Sequence, residues 1–262
     1  MRLARLAHPE FGVVFASITG TAGTANESGD AQVKEILAHP FGTPEYSGRS
    51  WALSESRLLA PILPSKVVAF GRTYADHAAE LGNAVPDQPL CFLKPSTSVI
   101  GPGATIVMPP QSEQVSFEGE LAVVIGRPCR DVPADNAAAV ILGYTVANDV
   151  TARDLQKTDG QWARAKGFDT FCPLGPWIET ELDPAGLSIR TEVDGEVRQD
   201  GNTSDLVFTV GELIEWISAA MTLLPGDVIL TGTPEGVGLL EAGQRVDIEI
   251  EGIGTLSNPV GG

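Results

Sequence analysis

Phe117-Glu118-Gly119-Glu120-Leu121-Ala122-Val123-Val124-Ile125-Gly126 opens on two acids and runs into five apolar residues closed by glycine. A short apolar run rich in valine and isoleucine and bounded by glycine reads as a buried strand. The period of two then puts Glu118 and Glu120 on one face, with Cα atoms roughly 6.5–7 Å apart. Two carboxylates aimed the same way repel, and each is driven to protonate unless a cation holds them. In isolation the same Glu-x-Glu also suits the solvated start of a strand.

Outward from this stretch, short strand-like runs dominate: Lys66 to Phe70, Leu90 to Leu93, Ala104 to Met108, Gly143 to Ala147, Leu187 to Val193, Asp227 to Thr231 and Val246 to Ile250. With 29 glycines and 19 prolines among 262 residues, the chain has the punctuation that many turns require. Two helices stand out. Thr209 and Glu212 form a capping box ahead of Val210, Leu213, Ile214, Ile217 and Met221 at helical spacing. The other is short, from a Thr73 to Asp76 cap through His77 and Glu80 to a stop at Gly82, and the segment Thr73 to Pro89 reads as a lid carrying His77. The two-proline connector Leu58 to Pro64 places a boundary near residue 63. The expectation is a mainly β fold with some α: a small N-terminal α/β module over 1–62 and a larger domain over 63–262.

Composition narrows the partners. A net charge of −17 argues against nucleic acid and against an anionic membrane surface. The acidity is uneven: residues 167–262 carry 17 acids against 3 bases, whereas residues 66–166 carry 11 against 9. The middle of the chain therefore holds most of the cations, so the net charge does not argue against small organic acids as partners. Three cysteines without C-x-x-C spacing imply neither a disulfide framework nor a zinc knuckle, and a reducing cytoplasm is the expected setting. No signal peptide or membrane-spanning run is legible, so the sequons at Asn26 and Asn202 are read as chance matches.

A second polar cluster follows the strand Gly143 to Ala147: Asn148-Asp149-Val150-Thr151-Ala152-Arg153-Asp154-Leu155-Gln156. It suits a turn whose Asn and Asp bond their own backbone equally well. Asp149 nevertheless supplies a third carboxylate at a strand end. Three oxygen ligands without His or Cys suit a hard cation, Mg²⁺ or Mn²⁺. The glycine-rich Thr231 to Gly238 lacks the Lys-Ser/Thr of a phosphate loop, so its amides and the Thr233 hydroxyl are expected to cup a carboxylate rather than a nucleotide. Neither G-x-S-x-G nor H-E-x-x-H occurs, which removes common serine and zinc hydrolases.

Taken in order, four stretches resemble the fumarylacetoacetate hydrolase family: Gly71-Arg72-x-Tyr74-x-x-His77-x-x-Glu80; Phe92-x-Lys94-Pro95; Glu118-x-Glu120 with Asn148 to Gln156; and Lys166 to Asp169 with Pro225 to Gly238. The resemblance covers residues 66 to 238, and the first 60 match only as a small lead-in module. It implies a mixed β-sandwich roll, a metal held by Glu118, Glu120 and Asp149, a homodimer, and activity on 2-oxo or 2,4-dioxo acids. His77, three residues from Glu80 on one helix, would be a general base that deprotonates water. Lys166 would steady an oxyanion, and Arg72, Lys94, Gln156 and Thr233 would contact substrate. Alone, Lys94 reads as a snorkelling lysine, and Arg72 and Gln156 as surface polar residues.

The implied reaction is C–C hydrolysis of a 2,4-dioxo acid through a stabilised enolate. Decarboxylation of a β-keto acid and a 1,3 double-bond shift in a hydroxymuconate-like diacid share that enolate, and a metal-stabilised scaffold without catalysis is the reading from another class. The name-giving hydrolase carries an aspartate seven positions before its histidine as a further metal contact. Here that position is Phe70, which favours the smaller relatives that act on acylpyruvates, oxaloacetate or homoprotocatechuate-pathway diacids.

Overall fold

A computed structural model describes residues 1–20, 31–80, 82 and 84–262. Its first 61 residues hold β1 (Arg2–His8), β2 (Gly12–Thr19), β3 (Gln32–Ile36), β4 (Tyr46–Ala52) and β5 (Arg57–Leu58). Inward residues alternate along them, as in Val33, Glu35 and the exposed Lys34 between. Where an α/β module is expected, the described residues carry strands and a single 3₁₀ turn at Leu53–Glu55. The small and polar residues there do not sustain a helical apolar stripe. Asn26 and Leu81 lie outside the described residues.

The remainder holds β6 (Val67–Gly71), α1 (Ala75–Glu80), β7 (Leu90–Lys94), β8 (Val99–Ile100), β9 (Ile106–Val107), β10 (Val115–Phe117), β11 (Gly119–Ile125), β12 (Ile141–Asn148) and β13 (Thr151–Ala152). Then follow α2 (Arg153–Asp159), α3 (Ala163–Gly167), β14 (Cys172–Glu179), β15 (Ser188–Val193), β16 (Glu196–Asn202), α4 (Val210–Ala220), β17 (Val228–Leu230), β18 (Gly238–Leu239), β19 (Arg245–Ile250) and β20 (Gly254–Gly261). A large sheet runs β4-β3-β2-β1-β14-β12-β11-β17-β6-β7. The N-terminal strands are thus part of the main sheet, joined through the antiparallel pairs Arg2 with Glu179 and Leu3 with Ile178. A five-stranded sheet, β16-β15-β19-β20-β9, packs against it, and β13-β10-β18 form a small third one.

The decisive stretch behaves as its periodicity requires. All of β11 is buried, and its alternate residues feed two cores: Leu121, Val123 and Ile125 pack with Ile189, Ile248 and Ile217, whereas Ala122 and Val124 pack with Val67, Leu174 and Leu230. Covering on both faces explains an unbroken apolar run in place of alternation. The capping box is present on α4, with Thr209 N–H donating to Glu212 Oε2 at 2.7 Å. Among the described residues no helix is long and apolar enough to cross a membrane.

Candidate active site

The head of β11 meets the end of β12, because Gly119 pairs with Asn148 across the ladder. Two further bonds staple the ends together: Asp149 N–H donates to Glu118 O at 2.9 Å, and Glu118 N–H donates to Asn148 Oδ1 at 3.0 Å. Glu118, Glu120 and Asp149 are thereby brought together, all buried, with ligand oxygens within 4.8 Å of one another. The alternative readings of these two segments, a solvated strand start and an ordinary turn, do not describe them.

Cations surround the cluster unevenly. Lys166 on α3 lies 2.6 Å from Glu118 Oε2 and 2.7 Å from Asp149 Oδ2, Arg153 lies 2.6 Å from Glu118 Oε1, and Lys94 pairs with Asp149. Glu120 has no ion pair among the described residues and accepts the Gly232 N–H at 2.7 Å. Burial, then the charges of Asp149 and Glu118, push its carboxyl well above the usual range, against weaker opposition from Lys166 and Gly232. Burial would also raise Glu118, but Lys166 and Arg153 outweigh it and hold that carboxyl well below the usual range. Lys166 is buried, which by itself lowers an ammonium, yet Asp149 and Glu118 leave it raised and charged. An all-oxygen donor set with one carboxylate short of positive charge fits a hard divalent ion.

His77 on α1 is 5% exposed, with Nδ1 3.4 Å from Glu80 Oε2. Burial lowers its pKa, Arg153 adds to that, and Glu118 and Glu80 oppose it incompletely. The ring is therefore neutral near pH 7, as a proton acceptor must be. Glu80 is itself steadied by the Gly236 N–H, at 3.2 Å from Oε1.

His77, Glu118, Glu120, Lys166, Arg72, Gln156 and Thr233 all line one cavity of about 600 Å³. Arg72 reaches it from left-handed backbone, φ 59°, with its guanidinium 5.9 Å from the Trp162 ring. Strain of this kind persists only where its surroundings enforce it. Gln156 accepts a bond from Arg153 at 3.2 Å. The Thr233 hydroxyl donates to Gly119 O at 2.9 Å, so it holds the cavity floor. Lys94 is fully buried behind Asp149 and bonded to Val150 O at 3.3 Å, off the cavity wall. Phe70 forms an apolar wall, edge-on to Trp216 at 6.0 Å.

Sequence reading left several residues without a site role. Trp162 and Lys157 belong to the polar cluster's continuation, and Arg153 stands in the cluster itself, so all three are within reach of a local pattern. Gln199, fully buried beneath Gly119, stands on β16 in the other sheet, and no local pattern marks it.

Residues 66–261 match the model described as fumarylacetoacetate (FAA) hydrolase C-terminal, and residues 1–61 match one described as Rv2993c-like, N-terminal. The chain belongs to the fumarylacetoacetate hydrolase family. A family structure described as 5-carboxymethyl-2-hydroxymuconate delta-isomerase from Mycobacterium smegmatis is 59% identical with a TM-score of 0.92, covering 100% of this chain and 99% of that one. The human mitochondrial oxaloacetate tautomerase FAHD2A is 47% identical over 79% of this chain and 70% of its own. Fumarylpyruvate hydrolase from Pseudomonas aeruginosa, in complex with Mn²⁺ and pyruvate, is 34% identical with a TM-score of 0.72, covering 78% and 91%. Members of this family are enzymes, and these three carry out different reactions.

Proposed function

We propose that this protein is a divalent-metal-dependent hydrolase that cleaves a carbon–carbon bond in 2,4-dioxo acids of the acylpyruvate type. The observation that carries the reading is one cavity lined by His77 together with Glu118, Glu120 and Lys166, with Glu80 bonded to the His77 ring and Asp149 completing the carboxylate cluster. Glu118, Glu120 and Asp149 would hold Mg²⁺ or Mn²⁺, which when bound supplies Lewis acidity toward the oxygens of a 2-oxo acid. Support for a metal also comes from the Mn²⁺ in the similar fumarylpyruvate hydrolase.

The chain's own groups do the rest. With Nδ1–H turned to Glu80, His77 Nε2 accepts a proton from a water as that water attacks the distal carbonyl. The charged Lys166 would steady the negative charge that develops on the attacked oxygen. The C–C bond then breaks, the distal half leaves as a free acid, and the pyruvate enolate takes up the proton. Arg72, Gln156 and Thr233 would orient the substrate, and Phe70, Trp162, Val237 and Leu239 would keep bulk water out.

A second reading, isomerisation or keto–enol tautomerisation of a 2-oxo diacid, is favoured by the names of the isomerase and tautomerase relatives. It uses the same base without adding water. Product masses separate the readings: hydrolysis adds one water and yields two acids, decarboxylation releases CO₂, and isomerisation leaves the mass unchanged. His77→Ala should slow C–C hydrolysis by about 10²–10⁴-fold with metal affinity intact; unchanged hydrolysis would refute the assignment.

A further inference from the structure

Gln199 stands 80 residues from Gly119 and outside the metal-ligand cluster, yet all four hydrogen-bonding positions of its amide are used. Its Oε1 accepts Gly119 N–H at 3.0 Å and the Thr191 hydroxyl at 2.8 Å. Its Nε2 donates to Thr233 Oγ1 at 2.7 Å and to Pro234 O at 2.9 Å. The amide cannot be reversed, because the flipped NH₂ would face the Gly119 N–H and the oxygen would face the Pro234 carbonyl.

These bonds grip both neighbours of the site. Gly119 separates Glu118 from Glu120, and its N–H is held by Gln199 while its carbonyl is held by the Thr233 hydroxyl. A Cβ at position 119 would collide with Thr191 Oγ1, so glycine is what lets the pair approach. On the other side, the segment 231–236 donates Gly232 N–H to Glu120 and Gly236 N–H to Glu80. Gly236, at φ 92°, also lies where any Cβ would strike Arg198 O, beside Gln199. One amide thus lies between the support of the carboxylates and the support of the His77–Glu80 pair.

We infer that Gln199 is a positioning residue that fixes the carboxylate cluster relative to the His77–Glu80 pair by clamping Gly119 to the 231–236 segment. This rests on the proposed metal site but not on the proposed reaction, and the clamp is tested without substrate. In Gln199→Ala, Mn²⁺ affinity, measured by paramagnetic resonance titration, should fall about 10- to 100-fold, the usual effect of losing a group that orients metal ligands. The ¹⁵N resonances of His77, one of three histidines, should also shift. Arg198→Ala, on the exposed side of the same strand, should change neither. Folded Gln199→Ala with Mn²⁺ affinity within twofold of wild type and His77 resonances in place would overturn the inference. Should Gln199→Ala not fold, Thr191→Val loosens the same amide from outside the cavity: weakened Mn²⁺ binding supports the clamp, and unchanged binding rejects it. If the wild type binds Mn²⁺ but turns over no 2-oxo acid, the functional reading fails while this test still stands.

Discussion

Lys166 Nζ lies 2.6 Å from Glu118 Oε2, with both side chains buried, and the same ammonium reaches Asp149 Oδ2 at 2.7 Å. Without a divalent ion, this lysine is a main source of positive charge inside the carboxylate cluster. Removing one partner of a buried pair leaves uncompensated charge and costs roughly 3–5 kcal/mol. Lys166→Met should therefore lower the melting temperature of the chelator-treated protein markedly. Saturating Mg²⁺ or Mn²⁺ should restore much of it, because the ion replaces the lost charge, while turnover stays lost. Calorimetry with and without metal checks both halves.

Metal binding should itself stabilise the wild type. An ion bound only by the folded state at 100 times its dissociation constant adds about 2.7 kcal/mol. Addition of EDTA should remove that increment, and Glu118→Ala and Asp149→Ala should show no metal-dependent increment at all. Tight Mg²⁺ binding in both variants would contradict the ligand set.

Glu120 gives the pH dependence of the metal-free state. Its folded pKa is raised by burial and by Asp149 and Glu118, so the folded protein binds more protons here than the unfolded chain does. Its contribution is most favourable below the ordinary glutamate pKa and is lost as pH rises through the raised value. Bound cations must displace that proton, so Mn²⁺ affinity should increase with pH and binding should release a proton into solution. Glu120→Gln should abolish the release, as measured by titration calorimetry in buffers of different ionisation heat.

His77 sets the acid limb of activity. Burial holds its pKa below the ordinary histidine value, so the rate should fall only when pH drops below that value. Glu80 raises the His77 pKa, and Glu80→Gln should move the limb to still lower pH. His77→Ala should reduce turnover by about 10²–10⁴-fold, the usual contribution of a general base.

How far the sequence carried depends on range. Glu118, Glu120 and Asp149 were legible because a two-residue period and one adjacent strand end bring them together. The capping box on α4 was legible because it is local. By contrast, β14 carries Pro173 and Pro176 and is absent from the strand-like runs of the sequence, yet it lies between β1 and β12, with a register shift where it meets Tyr144 to Val146. The helices α2 and α3, of 7 and 5 residues, are too short to show an apolar stripe. Lys94 read as a substrate contact, but β7 turns it behind Asp149, and that direction follows from its pairing with Val67 at the sheet edge. Gln199 reaches Gly119 only through the packing of two sheets, which no local pattern encodes.

The most direct test is incubation of Mg²⁺- or Mn²⁺-loaded protein with an acylpyruvate in ¹⁸O-water, with products identified by mass. Pyruvate should appear together with a free acid carrying one ¹⁸O, at a rate abolished by EDTA. Recovery of the acylpyruvate unchanged would contradict the proposed hydrolysis.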